Sequence, residues 1–176
     1  MKTGKSAIKT AEKDCSQTPW YLIRALECIA GREFDLDVCA LGITAKARRY
    51  YSLDERGEDC LDLDWSALNW CNPPFSHITP FVEKAVVEAK KGRTTYMIMP
   101  ASPETGYVRL AKSFADTVIE MPYRIQFARA NGEPFLDGKG KAQSPQFSCM
   151  IAVFTPLGLH TGRARHIEID FREMIK

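Results

Sequence analysis

The chain has 176 residues, of which 45% are apolar and 26% are charged, and its formal net charge is +2. A chain of this length can bury one substantial core, and no stretch approaches the length of a transmembrane helix. The small positive charge permits nucleic-acid binding without requiring it.

The beginning of the chain differs from the rest. Residues 1–16 carry four lysines and no apolar segment, so they do not resemble a signal peptide. We expect a flexible basic arm here, either simply solvated or touching phosphate groups, followed by a single domain at 17–176. The six cysteines are scattered, with no C-x-x-C pair and no histidine at ligand spacing. This pattern predicts a cytoplasmic protein with reduced thiols and no metal site.

The first elements of the domain mix helix and strand. Residues 20–30 have apolar side chains at helical spacing and predict a helix. Residues 34–40 predict a strand, residues 50–53 a short one, and the apolar Leu68, Trp70 and Cys71 a further short buried strand.

The stretch Asn72-Pro73-Pro74-Phe75 follows that buried strand and suits one chemical task. The Asn72 side-chain oxygen and the Pro73 carbonyl can each accept one N–H of an exocyclic amine on a planar heterocycle. These hydrogen bonds favour a nitrogen whose lone pair is available for attack, which stabilises charge developing in the transition state. Pro74 sets the turn, prolines offer no competing N–H, and Phe75 can stack on the ring. The alternative is a Pro-Pro turn at a strand end with Phe75 in the core.

A strand–helix–strand unit surrounds this motif. Thr79 and Pro80 predict an N-cap and a first helical residue, and Lys90, Lys91 and Gly92 predict the helix end. The apolar positions between them fall on one helical face. Residues 95–100 predict the next buried strand. The motif therefore lies at the carboxyl end of a strand, where open parallel sheets bind ligands.

The remaining elements predict an antiparallel addition to the sheet. Residues 107–114 predict a helix, and residues 117–121, 124–128 and 146–154 predict strands, the last two forming a long hairpin. Between them lies a loop rich in Gly, Pro and polar residues, which we describe as an insertion at about 129–145. The predicted fold is α/β, with a three-layer sheet and an antiparallel edge hairpin.

The motif also resembles a known one. Asn72-Pro73-Pro74-Phe75 resembles the fourth motif of amino-methyltransferases that use S-adenosylmethionine, written D/N/S-P-P-Y/F/W. From about residue 17 to residue 154 the chain is similar to the small phage-type DNA N6-adenine methyltransferases. The similarity includes Gln17-Thr18-Pro19, residues 34–40, Met99-Pro100-Ala101 and residues 123–127.

The resemblance implies a Rossmann-like methyltransferase sheet and a specific reaction. A methyl group would pass from S-adenosylmethionine to the N6 amine of adenine in double-stranded DNA, with the target base flipped out. It also suggests a phage-encoded enzyme that protects DNA from host restriction. The alternatives keep the chemistry on cytosine N4, an RNA base or a protein glutamine, or keep the fold as a catalytically silent DNA-binding module.

The cofactor residues follow from the same resemblance. Asp37, Val38, Cys39 and Ala40 take the role of the first motif, although the chain lacks the usual Gly-rich turn there. They would face the methionine part of the cofactor beside Asn72, with Thr18 and Pro19 closing over it. Asp54 is the candidate for the ribose hydroxyls and Asp59 for the adenine amine. The alternatives are a capping role for Asp37 and plain surface charges for Asp54 and Asp59.

The expected DNA contacts lie on loops. Arg124, Arg129, Lys139 and Lys141 form the best local cluster for phosphate groups. A solvated charged face explains the same cluster equally well. Gly138 and Gly140 would allow the loop to change shape on binding.

Overall fold

The computed structural model describes residues 14, 16–137, 139–142, 145–157 and 162–175. Almost all of the predicted basic arm, together with Gly138, lies outside these described residues. Within them, the chain forms a seven-stranded mixed sheet with helices.

Helices and strands are mixed along the described part of the chain. The helices are α1 (Trp20–Ala30), α2 (Leu53–Arg56), α3 (Thr79–Lys90) and α4 (Gly106–Phe114), with a final 3-10 turn at Glu173–Ile175. The strands are β1 (Leu36–Asp37), β2 (Arg49–Tyr50), β3 (Leu68–Cys71), β4 (Thr94–Pro100), β5 (Thr117–Glu120), β6 (Cys149–Phe154) and β7 (Arg165–Glu168).

The strand order creates a crevice at one place in the sheet. The order is β2-β1-β3-β4-β6-β5-β7, and β2, β1, β3 and β4 run parallel. The chain passes from β1 outward to β2 and then returns to form β3 on the other side of β1. Such a reversal of direction leaves an opening at the carboxyl ends of the two central strands, where ligands bind in open α/β sheets. Here those strands are β1 and β3.

Both faces of the sheet are covered. Along β4, Met97 and Met99 belong to one apolar cluster, while Tyr96 and Ile98 belong to the other. The first cluster contains the buried faces of α3 and α4, and the second contains that of α1. The period of two in a strand places alternate side chains on opposite faces. The predicted three-layer α/β sheet with antiparallel pairs is thus confirmed, and it is consistent with a Rossmann-like methyltransferase fold.

Several predicted boundaries agree with the structure and two short strands do not. The helix at residues 20–30 is confirmed. The boundaries of β4, α4 and β5 lie within one residue of the predicted ones. The strand predicted at 34–40 is only Leu36–Asp37, because the Asp37 carboxylate accepts the backbone N–H of Cys39 and Lys46 and turns the chain. The strand predicted at 50–53 ends at Tyr50, because the Ser52 hydroxyl accepts the Glu55 N–H and begins α2.

The predicted strand at 124–128 is wrong. Ile125 and Phe127 are buried, whereas Arg124 and Gln126 are exposed, so the period of two is real. The edges of β6 are already occupied by β4 and β5, however, and the hairpin partner of β6 is Thr117–Glu120. Outside that pair lies β7, which the sequence did not reveal because all four of its residues are exposed. α3 also begins differently: Thr79 is its first residue, and Ile78 occupies the N-cap without a side-chain hydrogen bond.

The loop after residue 128 is attached to the segment that precedes α1. Ala128 pairs with both Gln17 and Pro134 in isolated bridges, and Leu136 pairs with Ala142. The Gln17 side-chain nitrogen also donates to the Ala130 carbonyl at 2.6 Å. The base of the long loop is therefore held next to residues that lead into the crevice.

Candidate active site

A cavity of about 350 Å³ opens at the crevice between β1 and β3. Small-molecule sites span roughly 300–1,000 Å³, so its volume suits a cofactor. Its wall is formed by the ends of β1 and β3, the segment before α1, and residues 51–60. Most of the residues predicted for the cofactor and the amine line it: Thr18, Asp37, Val38, Cys39, Ala40, Asp54, Asp59, Asn72 and Pro74.

Asp37 is a buried carboxylate on the cavity wall, with 2% of its surface exposed. Its Oδ2 accepts the Lys46 backbone N–H at 2.9 Å, and its Oδ1 accepts that of Cys39 at 3.4 Å. Burial raises the pKa of Asp37 from 3.8 to about 6, and these hydrogen bonds and the Lys46 charge only partly offset it. A carboxylate with a raised pKa in a cleft is typical of a functional site. Asp37 also caps the backbone of Cys39 and Lys46 through these hydrogen bonds, so its capping role is compatible with a role in the cavity.

The Asn72 amide has a defined orientation. Its Nδ2 donates to the Ser16 carbonyl at 2.9 Å. Because a carbonyl can only accept, the group facing Ser16 must be the NH2 group. No described donor reaches Oδ1 of Asn72 or the Pro73 carbonyl, whereas the Pro74 carbonyl accepts the His77 N–H at 2.9 Å and closes a turn. Neither predicted acceptor is therefore occupied by a described donor; Asn72 lines the cavity, whereas Pro73 is buried and does not.

Two contacts fasten the motif to its surroundings. The Asp14 carboxylate accepts from the Ser76 N–H at 3.2 Å and from the Ser76 hydroxyl at 2.6 Å. On the other side, the Cys39 thiol donates to the Asn72 carbonyl at 3.6 Å. The pKa of Cys39 is raised, first by its hydrogen bond with Cys60 and then by burial, and burial raises that of Cys71. These thiols stay protonated, so they serve as packing groups rather than nucleophiles.

Phe75 lies outside the cavity wall, in an aromatic group. Its ring meets Phe127 edge-on at 5.7 Å between centroids and Phe147 at 5.9 Å. Phe75 is half-buried and packs against both apolar clusters of the sheet. Phe147 remains 39% exposed. The structure thus gives Phe75 a packing role and leaves part of this aromatic group open to solvent.

The acidic side of the cavity differs in detail from the prediction. Asp54 is exposed in the first turn of α2, and Asp59 already accepts the Leu61 N–H at 2.9 Å. Sequence reasoning missed Glu58, which also lines the cavity. Its Oε2 is buried without a hydrogen-bond partner among the described residues, and the nearest cation, Arg56, is 3.9 Å away. Thr18 Oγ1 is likewise buried and has no described partner, while Pro19 does not line the cavity.

A family model for the DNA N-6-adenine-methyltransferases (Dam) matches residues 5–159 of the chain. The chain belongs to this family. The match confirms the resemblance to adenine-specific DNA methyltransferases, because it covers most of the chain.

Two phage proteins are similar over most of this chain. The DNA N-6-adenine-methyltransferase of Haemophilus phage HP1 (strain HP1c1) is 26% identical over 155 residues, which cover 86% of this chain and 84% of that protein. The DNA N-6-adenine-methyltransferase of Escherichia phage T1 is 28% identical over 142 residues, which cover 75% of this chain and 58% of that protein. Both relatives support membership of a phage-type branch of the family.

The DNA-contact residues predicted for this family member do not line the cavity. Arg124, Lys139 and Lys141 are exposed, and Arg129 is half-buried with its guanidinium 5.8 Å from the centre of the Phe135 ring. The Asp137 carboxylate accepts the backbone N–H of Lys139 at 2.8 Å and of Lys141 at 2.9 Å. This turn fixes the backbone beside both lysines and leaves their ammonium groups at the surface.

No group of three His, Cys, Asp or Glu side chains in the described part of the chain is placed to hold a metal ion. None of the helices described is long and apolar enough to cross a membrane.

Proposed function

We propose that this chain transfers a methyl group from S-adenosylmethionine to the N6 amine of adenine in double-stranded DNA, with the target base flipped out of the duplex. The observation that carries the proposal is the orientation of Asn72 at the end of β3. Its donor group is occupied by Ser16, and its acceptor oxygen is left beside the cavity that also contains Asp37. Membership of the Dam family and the names of both phage relatives support adenine in DNA as the acceptor.

The volume of the cavity and the polar groups on its wall both suit S-adenosylmethionine. Thr18 Oγ1 and Glu58 Oε2 are buried polar atoms without described partners, so a ligand with hydroxyl and amine groups would satisfy them. Asp37 would bind the amino group of the methionine part, while Asp54, Glu58 and Asp59 supply acceptors for the ribose and the adenine amine. S-adenosylmethionine, when bound, supplies an electrophilic methyl group on its sulfonium.

The chain's part in the reaction is to hold the amine. Asn72 Oδ1 and the Pro73 carbonyl accept its two N–H groups and orient the nitrogen lone pair toward the methyl group. Prolines at 73 and 74 carry no N–H, so no donor from these residues competes for the lone pair. Ser16 fixes the amide plane, and such positioning accounts for a large share of catalysis in a direct group transfer.

Flipping is part of the proposal because of where these acceptors lie. At the end of β3, Asn72 is half-buried and Pro73 is buried, and an enzyme that acts on a base cannot reach its target atom inside a duplex. The partly exposed aromatic group around Phe75 and Phe147 would receive the flipped base by stacking.

The test is methyl transfer from labelled S-adenosylmethionine to duplex DNA, followed by digestion to nucleosides. We expect N6-methyldeoxyadenosine from the unmodified protein. Asn72→Ala should lower transfer by about 100-fold or more, by analogy with the loss of one oxyanion-hole donor, while thermal unfolding stays similar. Asn72→Asp keeps an acceptor oxygen and should retain more activity than Asn72→Ala.

Other products would redirect the proposal. Label in N4-methyldeoxycytidine, in RNA or in protein would replace adenine as the acceptor, and DNA binding without any transfer would indicate a silent module. Near-normal turnover of Asn72→Ala, with intact cofactor binding, would contradict the role of the amide.

A further inference from the structure

Lys46 is a buried lysine on the wall of the cavity. Only 5% of its surface is exposed. It follows β1 by nine residues in the chain, and its backbone N–H donates to Asp37 Oδ2 at 2.9 Å. This bond places Lys46 directly beside the carboxylate proposed for the methionine amino group.

The Lys46 ammonium has poor compensation for its burial. Nζ donates to Gln17 Oε1 at 3.1 Å and lies 4.5 Å from the centre of the Trp20 ring. Among the described residues no carboxylate lies within ion-pair distance of Nζ, although Asp37 is near enough to influence it. Burial of a cation without a paired anion is unfavourable, and here burial lowers the pKa of Lys46, with the Asp37 charge partly offsetting it.

Lys46 is opposite in charge to the acidic residues on the cavity wall. Among the described lining residues five carry carboxyl groups, Asp14, Asp37, Asp54, Glu58 and Asp59, and Lys46 is the sole cation. The methyl donor of the proposed function has one anionic group, the α-carboxylate of its methionine part. Its amino and adenine amine groups and its hydroxyls all suit carboxylates.

We propose that Lys46 Nζ binds the α-carboxylate of S-adenosylmethionine, so that Lys46 and Asp37 together recognise the zwitterionic end of the cofactor. This assignment rests on the proposed function. The amino and carboxylate groups of that end share one carbon atom, and the Lys46 backbone N–H donates to the Asp37 carboxylate, so the two side chains belong to adjoining parts of the cavity wall. Gln17 holds the ammonium in place, because its own amide nitrogen is fixed on the Ala130 carbonyl.

A calorimetric comparison of two ligands tests this assignment without turnover. S-adenosylhomocysteine carries the amino-acid end, whereas 5′-methylthioadenosine lacks it. Lys46→Met should weaken S-adenosylhomocysteine by about 10- to 100-fold, the effect of a lost charge-assisted hydrogen bond. The affinity for 5′-methylthioadenosine should stay within about twofold. Lys46→Arg should recover part of the loss, and Lys90→Met, at an exposed position in the last turn of α3, serves as the control.

Each other outcome has a definite meaning. Equal weakening of both ligands would overturn the assignment and make Lys46 a residue that shapes the cavity. Unchanged S-adenosylhomocysteine affinity in a folded Lys46→Met protein would overturn it as well, and weaker DNA binding in that variant would assign Lys46 to a phosphate group. If the unmodified protein binds neither ligand, the proposed function fails, and the assignment fails with it.

Discussion

Asp37 and Glu88 are both buried carboxylates, but the chain surrounds them differently. Glu88, on α3, has a fully buried side chain and accepts from Arg93, from Lys91 and Lys84 at 3.1 Å each, and from the Trp65 N–H at 3.3 Å. Asp37 receives two backbone N–H groups and, within the described part of the chain, no ion pair. Burial alone would raise the pKa of Glu88, yet these partners outweigh it and leave the pKa below 4.5, whereas that of Asp37 rises to about 6.

The difference separates a structural charge from one available to a ligand. Three cations pair with Glu88, and its carboxylate also accepts the Trp65 backbone N–H. The indole nitrogen of Trp65 in turn donates to the Cys60 carbonyl at 2.8 Å. Glu88 thus supports the segment behind the acidic side of the cavity. Asp37 is left under-compensated at the cavity wall, as binding and catalytic carboxylates often are.

Loss of the Glu88 charge should produce the largest effect on stability. Glu88→Gln leaves Lys84, Lys91 and Arg93 without their shared anion, and removing one partner of a buried ion pair costs about 3–5 kcal/mol. Because its folded pKa is lowered, the contribution of Glu88 is present above about pH 4.5 and is lost as the pH falls further. Urea denaturation at pH 7.5 measures the stability lost in Glu88→Gln, and urea denaturation at lower pH measures how that loss depends on pH. A loss below about 1 kcal/mol at pH 7.5 would remove the contrast with Asp37.

The free energy of unfolding should depend on pH in the opposite direction because of Asp37, and Asp37→Asn removes that dependence. The folded pKa of about 6 exceeds the ordinary 3.8, so between these values the folded state binds more protons than the unfolded state and stability falls with increasing pH. Relative to Asp37→Asn, the cofactor-free wild type should lose up to about 3 kcal/mol between pH 4 and pH 7. Urea denaturation of both proteins across this range measures the difference. Parallel curves would show that Asp37 is as well compensated as Glu88.

The sequence predicts the parts of this contrast that depend on local pattern. The motif at the end of β3 follows from an apolar strand, a Pro-Pro turn and an amphipathic helix, all close together in the chain. Glu88 also had a signal, because it lies seven residues after Phe81 on the apolar face of α3. A carboxylate at such a position must be buried and therefore paired.

Other features depend on contacts between distant segments. Lys46 is buried because the segment containing Gln17 and Trp20 packs on it, and no local spacing indicates that contact. The alternation around Ile125 and Phe127 predicts a strand, but it arises from a loop packed on the sheet. Glu58 lies in a run of acids, where only the folded chain shows which carboxylate has a buried oxygen without a hydrogen bond among the described residues.

Phe75 combines the structural role of Glu88 with a position near the site like that of Asp37, since it packs in the core and borders the site. If it receives the flipped base, Phe75→Tyr and Phe75→Trp should retain much activity, and Phe75→Ala should lose about 1–3 kcal/mol of base stacking. The measurements are DNA affinity and methyl transfer beside thermal unfolding, and Phe147→Ala shows whether the second ring of this aromatic group shares the stacking role. If all three Phe75 variants chiefly lower the melting temperature, its contacts with Phe127 and Phe147 are its main role.

The smallest expected effect concerns charges that are neither buried nor compensated. Lys139 and Lys141 are exposed, and Asp137 holds their backbone rather than their ammonium groups. If the loop contacts phosphates, changing both lysines to Ala should weaken binding to all DNA sequences alike and reduce the salt slope by roughly 2, one for each lost contact. Affinity for S-adenosylhomocysteine should stay constant, because neither lysine lines the cavity. The double variant Lys90→Ala with Lys112→Ala removes the same charge from α3 and α4 and should change the slope less. An unchanged slope in the loop variant would make this loop a solvated surface, and DNA contact would then be sought on the lysines of residues 1–16.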